Sequence, residues 1–330
     1  MDAALPTLGN KVAFLRTLCG PGDEVIETHF AWLVLAGDRA WKMRKPVRRE
    51  TMDYRTLEAR RLGSLEDARL NRRLAPDAYL RAVPLTLDAG GRFAIDGPGE
   101  IVDWLVCMRR LDRRNQLDQV IARGVLDDHA IRAIARLLAA FYRKATAALS
   151  DGPSYVARLQ QEVAGNHAVL LEASVPGAAG LADAQQRFML EHRALLEQRA
   201  ASGCVVEGHG DLRPEHVYLT DPPVVIDCLE FDRDLRILDR AEELCSLELE
   251  CVRLGHADAG RRIRERCLVE LADPAPLRLL DFYRSHRAAR RAKLYIWRAG
   301  EPDGADPAKW IGEAAACAKL ALDDARRAVG

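Results

Sequence analysis

Residues 205–231 read VVEGHGDLRPEHVYLTDPPVVIDCLEF, and this stretch decides the expected fold. It opens on an apolar pair and closes on an apolar triplet before Asp227, with a polar loop around Asp211 between them. Prolines at positions 214, 222 and 223 exclude a single helix. We therefore predict a loop, a short strand at 216–219, a turn and a strand ending at Asp227. This arrangement places Asp211 and Asp227 near each other.

The motif His209-Gly210-Asp211, followed by Ile226-Asp227, resembles the aminoglycoside phosphotransferase family, which has a protein-kinase-like fold. The family pattern is H-G-D-x-x-x-x-N, followed by an apolar strand that ends in I-D. The resemblance implies an α+β, bilobal protein with a small β-rich N-lobe and a larger helical C-lobe. It also implies that Asp211 is the catalytic residue, which orients a substrate hydroxyl and accepts its proton, and that Asp227 binds Mg²⁺.

The chain departs from the family pattern at His216, where the family has a metal-binding Asn. An amide oxygen suits magnesium, whereas an imidazole suits softer transition metals. We predict His216 as a second metal ligand, with Mn²⁺ as the alternative to Mg²⁺. The other reading is that His216 turns away and only forms hydrogen bonds within the loop.

The composition limits the classes of protein that the chain can represent. Its 330 residues are 48% hydrophobic and carry no formal net charge, which argues against nucleic-acid binding driven by bulk charge. Its eight cysteines form no C-x-x-C pair, so we expect free thiols in a reducing cytoplasm rather than a zinc site. The N-terminus lacks the pattern of a secretory signal, and no apolar run approaches a membrane span.

The first half of the chain predicts a nucleotide-binding sheet. The tripeptide Ala36-Gly37-Asp38 favours a hairpin between two strand-like runs. The resemblance implies that Lys42 holds the nucleotide phosphates, with Lys45 as the alternative on the opposite face of the strand. It also implies that the loop over the phosphates contains Thr28, although the chain has no G-x-G-x-x-G motif there.

A helix is predicted over residues 53–74, with leucines as its apolar anchors. These leucines are Leu57, Leu62, Leu65, Leu70 and Leu74. By resemblance, Glu66 of this helix pairs with Lys42, and Glu58 is the alternative. The apolar run 101–108 leads into an expected hinge, where the backbone near Met108 would hydrogen-bond adenine.

From residue 109 onward the pattern is mostly helical. We expect residues 1–108 to form the N-lobe and residues 109–330 the C-lobe of one catalytic unit. Helices are predicted at 127–149 and, as a pair with a break at Pro176-Gly177, at 154–200. Glu243, with Asp239 near it, is the expected acidic residue that supports the catalytic loop by hydrogen bonds.

The sequence YRSHRAARRAK at 283–293 is a basic helical segment. Such segments are usually solvated, but if this one faces the cleft we expect an anionic or phosphate-bearing acceptor. The likeness is greatest to phosphotransferase domains that bacteria fuse to a C-terminal ATP-binding domain. The sequence to Gly330 contains no G-x-x-x-x-G-K-[ST] motif, so we expect that partner domain to be absent.

These features predict an ATP-dependent phosphotransferase that acts on a hydroxyl group of a small molecule. The alternatives are a regulatory, pseudokinase-like protein that binds a nucleotide, and a protein kinase. We expect ATP and Mg²⁺ or Mn²⁺ as cofactors, no nucleic-acid or membrane partner, and a monomer or homodimer. The identity of the acceptor does not follow from a fold resemblance.

Overall fold

The protein is described by a computed structural model that covers residues 6–49, 52–148, 151–301 and 306–330. Within these ranges the strands are β1 (Glu24–Glu27), β2 (Ala31–Ala36), β3 (Arg39–Arg44), β4 (Arg48–Arg49), β5 (Met52–Asp53), β6 (Tyr79–Leu87), β7 (Phe93–Ile95), β8 (Glu100–Arg109), β9 (Val205–Glu207), β10 (Val217–Tyr218), β11 (Val224–Val225) and β12 (Ile237–Asp239). The helices are α1 (Leu8–Arg16), α2 (Leu57–Asn71), α3 (Leu117–Ala122), α4 (Asp128–Lys144), α5 (Gly152–Glu172), α6 (Ala178–Glu191), α7 (Arg193–Ala201), α8 (Arg240–Arg253), α9 (Ala257–Glu270), α10 (Leu277–Ala299) and α11 (Pro307–Val329). The predicted α+β class is confirmed.

The chain divides into two compact units. The described residues of Met1–Gln116 and His216–Asp234 form the β-rich unit, and those of Leu117–Glu215 and Leu235–Gly330 form the helical unit. Two features differ from the predicted division into residues 1–108 and 109–330. The β-rich unit extends to residue 116, and it also includes the later segment that carries Asp227.

The β-rich unit is built on a six-stranded antiparallel sheet with the order β1-β2-β3-β8-β6-β7. The predicted hairpin joins β2 to β3, with Leu35 opposite Ala40 and with Gly37 at a φ of 58°. This left-handed backbone conformation is accessible to glycine without a steric penalty. The hairpin register fixes the direction of every side chain on β3.

The two faces of this sheet pack against different helices. On one face, Val12 and Leu15 of α1 join a buried cluster with Met43. On the other face, Ala68 of α2 packs in a cluster with Ala40. Because side chains alternate along a strand, Lys42 and Arg44 project from the same face as Ala40, toward α2.

The helical unit has a core of small side chains. Helices α10 and α11 pack closely through buried alanines, namely Ala288, Ala289, Ala292, Ala314, Ala318, Ala321 and Ala325. The predicted break at Pro176-Gly177 is confirmed, because α6 begins directly after Gly177. The expectation of two helices over 154–200 is wrong, since α6 and α7 are separated by a further break at His192.

Candidate functional site

A lysine and two carboxylates meet on the face of the sheet that packs against α2. The Nζ atom of Lys42 lies 2.9 Å from Oδ1 of Asp227 and 3.1 Å from Oδ2 of Asp67. Asp67 is fully buried, whereas the side chain of Asp227 is 49% exposed. One carboxylate is therefore a structural partner of the lysine, and the other is accessible to a ligand.

Burial and charge act in opposite directions on this lysine. Burial alone would lower the pKa of Lys42, but Asp227, Asp67 and Glu230 outweigh it and raise that pKa well above its usual value. The Lys42 side chain is therefore a fixed cation near neutral pH. Burial raises the pKa of Asp67, against the opposing effect of the Lys42 and Arg44 cations.

Arg44 is a second buried cation of this site, and sequence reasoning missed it. Its Nη2 atom lies 2.8 Å from Asp67 and 2.7 Å from Oε1 of Glu230, and its Nη1 atom donates to Ser64 at 3.1 Å. The guanidinium thus connects α2 to the segment that follows Asp227. Its position two residues after Lys42 on the same strand was the available signal.

Asp67 takes the place that was predicted for Glu66. Glu66 instead forms a two-point ion pair with Arg69 on the helix surface, at 2.6 and 2.7 Å. The buried face of α2 carries polar side chains, whereas Leu62 and Leu65 are 53% and 42% exposed. Of the predicted leucine anchors, Leu70 and Leu74 are buried as expected, whereas Leu62 and Leu65 are wrong. The alternative Glu58 is paired with Arg61.

We expect Asp67→Asn to destabilise the protein by about 3–5 kcal/mol, because it removes the fully buried carboxylate that Lys42 and Arg44 share and leaves each cation with one counter-charge fewer. Glu66→Gln is the matched control, and loss of its surface ion pair is expected to cost no more than about 1 kcal/mol. Urea unfolding of the two variants measures the difference. Equal midpoints for both variants would contradict the assignment of Asp67 as the lysine partner.

The predicted nucleotide contacts at Thr28 and Met108 are engaged within the unit itself. The Thr28 hydroxyl donates to the Ala31 carbonyl at 2.9 Å and accepts from the Ala31 N–H at 3.0 Å. The Met108 side chain is buried in the sheet cluster, and the N–H of the next residue, Arg109, donates to Ala78. A role of either residue in binding a nucleotide stays a prediction.

Asp227 and His216 form the candidate metal site. Nε2 of His216 lies 3.7 Å from Oδ2 of Asp227, and the Asp227 N–H donates to the hydroxyl of Tyr79 at 3.4 Å. The described ranges contain no cluster of three or more His, Cys, Asp or Glu that could hold a metal. The half-exposed carboxylate instead fits an ion that takes its remaining ligands from phosphates and water, as magnesium does.

The H-G-D loop belongs to the helical unit and is held by Glu243. This buried carboxylate accepts from the N–H groups of His209, at 3.0 Å, and Gly210, at 2.5 Å, and from the Tyr142 hydroxyl at 2.8 Å. The predicted supporting role of Glu243 is thereby confirmed. A Cβ atom at Gly208 would come within 2.6 Å of a Glu243 oxygen, so this approach requires glycine.

Asp211 projects from this loop between two arginines. Its carboxylate oxygens lie 3.7 Å from Nη2 of Arg291 and 3.9 Å from Nη1 of Arg213. The side chain is 28% exposed, so a solvent-borne ligand can reach it. Because Asp211 and Asp227 fall in different units, their expected proximity stays a prediction.

Two solved structures share this fold. The GDP complex of wild-type aminoglycoside 2'-phosphotransferase-IIIa is 14% identical, with a TM-score of 0.54 over 98% of this chain and 99% of that one. The GDP complex of a mutant of the same enzyme is also 14% identical, with a TM-score of 0.55 over 97% of this chain and 98% of that one. The chain has the protein-kinase-like fold of these phosphotransferases, and the predicted resemblance is confirmed at the level of the fold.

The chain is also similar to an uncharacterized protein of Mycobacterium tuberculosis strain H37Rv. The two are 33% identical over 294 residues, which is 86% of this chain and 57% of the relative. The chain thus spans little more than half the length of this relative. No family model matches the sequence. Among the described residues, no helix has the length and apolar composition needed to cross a membrane.

Proposed function

We propose that the protein transfers the γ-phosphoryl group of ATP to a hydroxyl group of a small molecule. The observation that carries this proposal is the 2.9 Å contact between Lys42 and the half-exposed Asp227. Residues 185 positions apart meet there with the residue types that hold phosphates and a metal in phosphotransferases of this fold. The Asp211 loop, held by Glu243, supplies the candidate base.

Each residue has a separate role in this proposal. Lys42 neutralises nucleotide phosphate charge, and Asp67 and Arg44 fix its position. Asp227, with His216, would hold a divalent metal that screens the phosphates. Asp211 orients the acceptor hydroxyl and takes its proton as the oxygen bonds to the γ-phosphorus. The bond from that phosphorus to the β–γ bridging oxygen breaks, and ADP leaves.

Exchange of His216 tests its part in metal binding. If the imidazole is a ligand, we expect His216→Asn to lower the ratio of Mn²⁺-supported to Mg²⁺-supported activity, because an amide oxygen favours magnesium. Phosphotransfer measured over a series of both metals gives this ratio. An unchanged ratio would leave Asp227 as the sole protein ligand in the proposal.

The second candidate function is a regulatory protein that binds a nucleotide without transferring phosphate. The observation behind it is the same His216, since the residue replaces the Asn of the family pattern. A protein kinase is the third reading. Incubation with γ-labelled ATP and either a metabolite extract or a protein extract separates these functions. A regulatory protein would label no acceptor, and the size of a labelled acceptor distinguishes a small-molecule kinase from a protein kinase.

Thermal unfolding with nucleotides is the first test. A ligand that binds only the native state raises the melting temperature, by an amount that grows with its concentration. We expect a rise with ATP and Mg²⁺ or Mn²⁺, and GTP should be included because the similar phosphotransferase structures hold GDP. If no nucleotide at millimolar concentration changes the melting temperature with either metal, the proposal fails.

A further inference from the structure

Arg290 is a half-buried arginine of α10, in the helical segment that borders the catalytic loop. It lies on α10 between Arg287, whose Nη2 donates to the Gly210 carbonyl at 3.1 Å, and Arg291, whose Nη2 lies 3.7 Å from Asp211. Arg287 and Arg290 are three residues apart, so they share a face of the helix. Within the described ranges, no carboxylate forms an ion pair with Arg290.

The other arginines near this loop each have a glutamate of their own. Arg287 pairs with Glu242 at 3.4 Å, and Arg291 pairs with Glu250 at 2.8 Å. Arg213 pairs closely with Glu215. Among these four arginines, Arg290 is thus the one whose charge an anionic ligand could neutralise without displacing a glutamate within the described residues.

His286, one helical turn before Arg290, shows that the acidic side chains on this side of α10 already have partners. Its ring is fully buried, and its Nε2 lies 3.6 Å from Glu162 and 3.8 Å from Glu242. Glu162 accepts from Arg158 at 3.0 Å. Within the described residues these carboxylates thus pair with other cations, and Arg290 has no ion pair of its own.

Burial and the neighbouring Arg287 lower the pKa of Arg290 to about 10, against the effect of Glu162, Glu242 and Asp211. The guanidinium remains charged near neutral pH, but its charged form is less favoured at this site than in water. This half-buried charge has no ion pair among the described residues, and an oxyanion ligand would supply one through a two-point contact.

We propose that Arg290 binds an anionic group, a phosphate or a carboxylate, of the acceptor whose hydroxyl is phosphorylated. This inference rests on the proposed function, because it assumes that the bound anion belongs to the molecule that is phosphorylated. It adds the class of substrate, which is an anionic one. Arg290 is then a specificity-determining residue. Its position next to Arg291, which faces Asp211, would place the anionic group near the reacting hydroxyl.

The test is the modification of arginines in the wild-type chain by phenylglyoxal, followed residue by residue by mass spectrometry. Inorganic phosphate and acetate are the probes, and their two arms distinguish a phosphate-type from a carboxylate-type site. We expect at least one probe to slow modification of Arg290 and to leave the exposed Arg278 of the same helix unaffected. Unchanged reaction of Arg290 with both anions would overturn the proposal.

A variant gives the size of the effect. Since a hydrogen bond to a charged group contributes about 1.5–3 kcal/mol, Arg290→Gln should weaken binding of the effective anion roughly 10- to 100-fold. Arg290→Lys, which keeps the charge, should lie between Arg290→Gln and wild type, and Arg278→Gln should match wild type. Equal anion affinity in Arg290→Gln and wild type would overturn the assignment. If Arg290→Gln does not fold, Arg290→Lys and the wild-type protection experiment decide.

The two hypotheses fail in different ways. Anion protection of Arg290 without any nucleotide-dependent rise in melting temperature removes the phosphotransferase proposal but keeps the anion site. A nucleotide-dependent rise without protection of Arg290 removes only the anion site. A labelled product whose sole anionic group is the transferred phosphoryl would also overturn the inference about the acceptor.

Discussion

Replacing Asp211 by Asn is expected to lower phosphotransfer roughly 100- to 10 000-fold, the range that a general base contributes. The amide keeps the size of the carboxylate but cannot accept the proton of the acceptor hydroxyl. Since the loop backbone is held by Glu243 through the N–H groups of His209 and Gly210, the loop should keep its conformation. The loss should therefore appear in kcat rather than in the melting temperature.

Binding of the nucleotide separates this prediction from general damage to the protein. Asp211→Asn should show the wild-type rise in melting temperature with ATP and metal, because its role concerns the acceptor. Asp183→Asn on the exposed surface of α6 is a matched control and should transfer phosphate at the wild-type rate. Wild-type transfer by Asp211→Asn would remove the residue from the proposed chemistry.

The second large effect is expected from Asp227→Asn. Removal of this charge deletes the candidate metal carboxylate and one partner of Lys42. With a charged interaction worth about 1.5–3 kcal/mol, metal-dependent ATP affinity should fall roughly 10- to 100-fold. Titration of ATP at fixed Mg²⁺, and again with a chelator, measures the metal-dependent part.

Two comparisons make the Asp227 result specific. Asp77→Asn, an exposed carboxylate of the same unit, should bind ATP like wild type. Asp211→Asn should also keep its affinity, so the two aspartates should differ in binding but agree in loss of transfer. An Asp227→Asn variant that binds ATP normally in the presence of metal would exclude the assigned metal role.

Local patterns predicted most of the β-rich unit. The hairpin at Gly37 follows from turn chemistry. The two candidate lysines have different partners in the structure, since Lys42 contacts Asp227 at 2.9 Å and Lys45 pairs with Glu27 at 2.5 Å. The H-G-D and I-D motifs predicted the fold because several residues agreed at fixed spacing. These features depend on short stretches of sequence, which is why they could be read without the structure.

The partner of Lys42 could not be predicted in the same way. On α2 the buried face is lined by the polar network of Asp67, Arg44 and Ser64, whereas two leucines point to solvent. The family resemblance implied a glutamate at this place on the helix and so selected Glu66, whereas the buried partner of Lys42 is the neighbouring aspartate. Burial of Asp67 depends on an arginine from β3 and a glutamate beyond Asp227, and these contacts are remote in sequence.

The break between α6 and α7 was missed for a related reason. It falls at His192, which has a backbone φ of −115° and ψ of 23°, in a stretch without Gly or Pro. Helix ends of this kind are set by tertiary packing, and the Phe188 ring at this end of α6 stacks on Phe282 of α10 at 4.3 Å. The first break, at Pro176-Gly177, was readable because its residues disfavour a continuous helix.

Incubation of the wild-type protein with γ-labelled ATP, divalent metal and a small-molecule extract is the decisive test of the proposed phosphotransfer. Asp211→Asn is run in parallel, and nucleotide binding is confirmed for both proteins by thermal unfolding. We expect a labelled small molecule with wild type and almost none with Asp211→Asn. Equal labelling by both proteins, or ATP binding by wild type with no labelled acceptor, would contradict the proposed function.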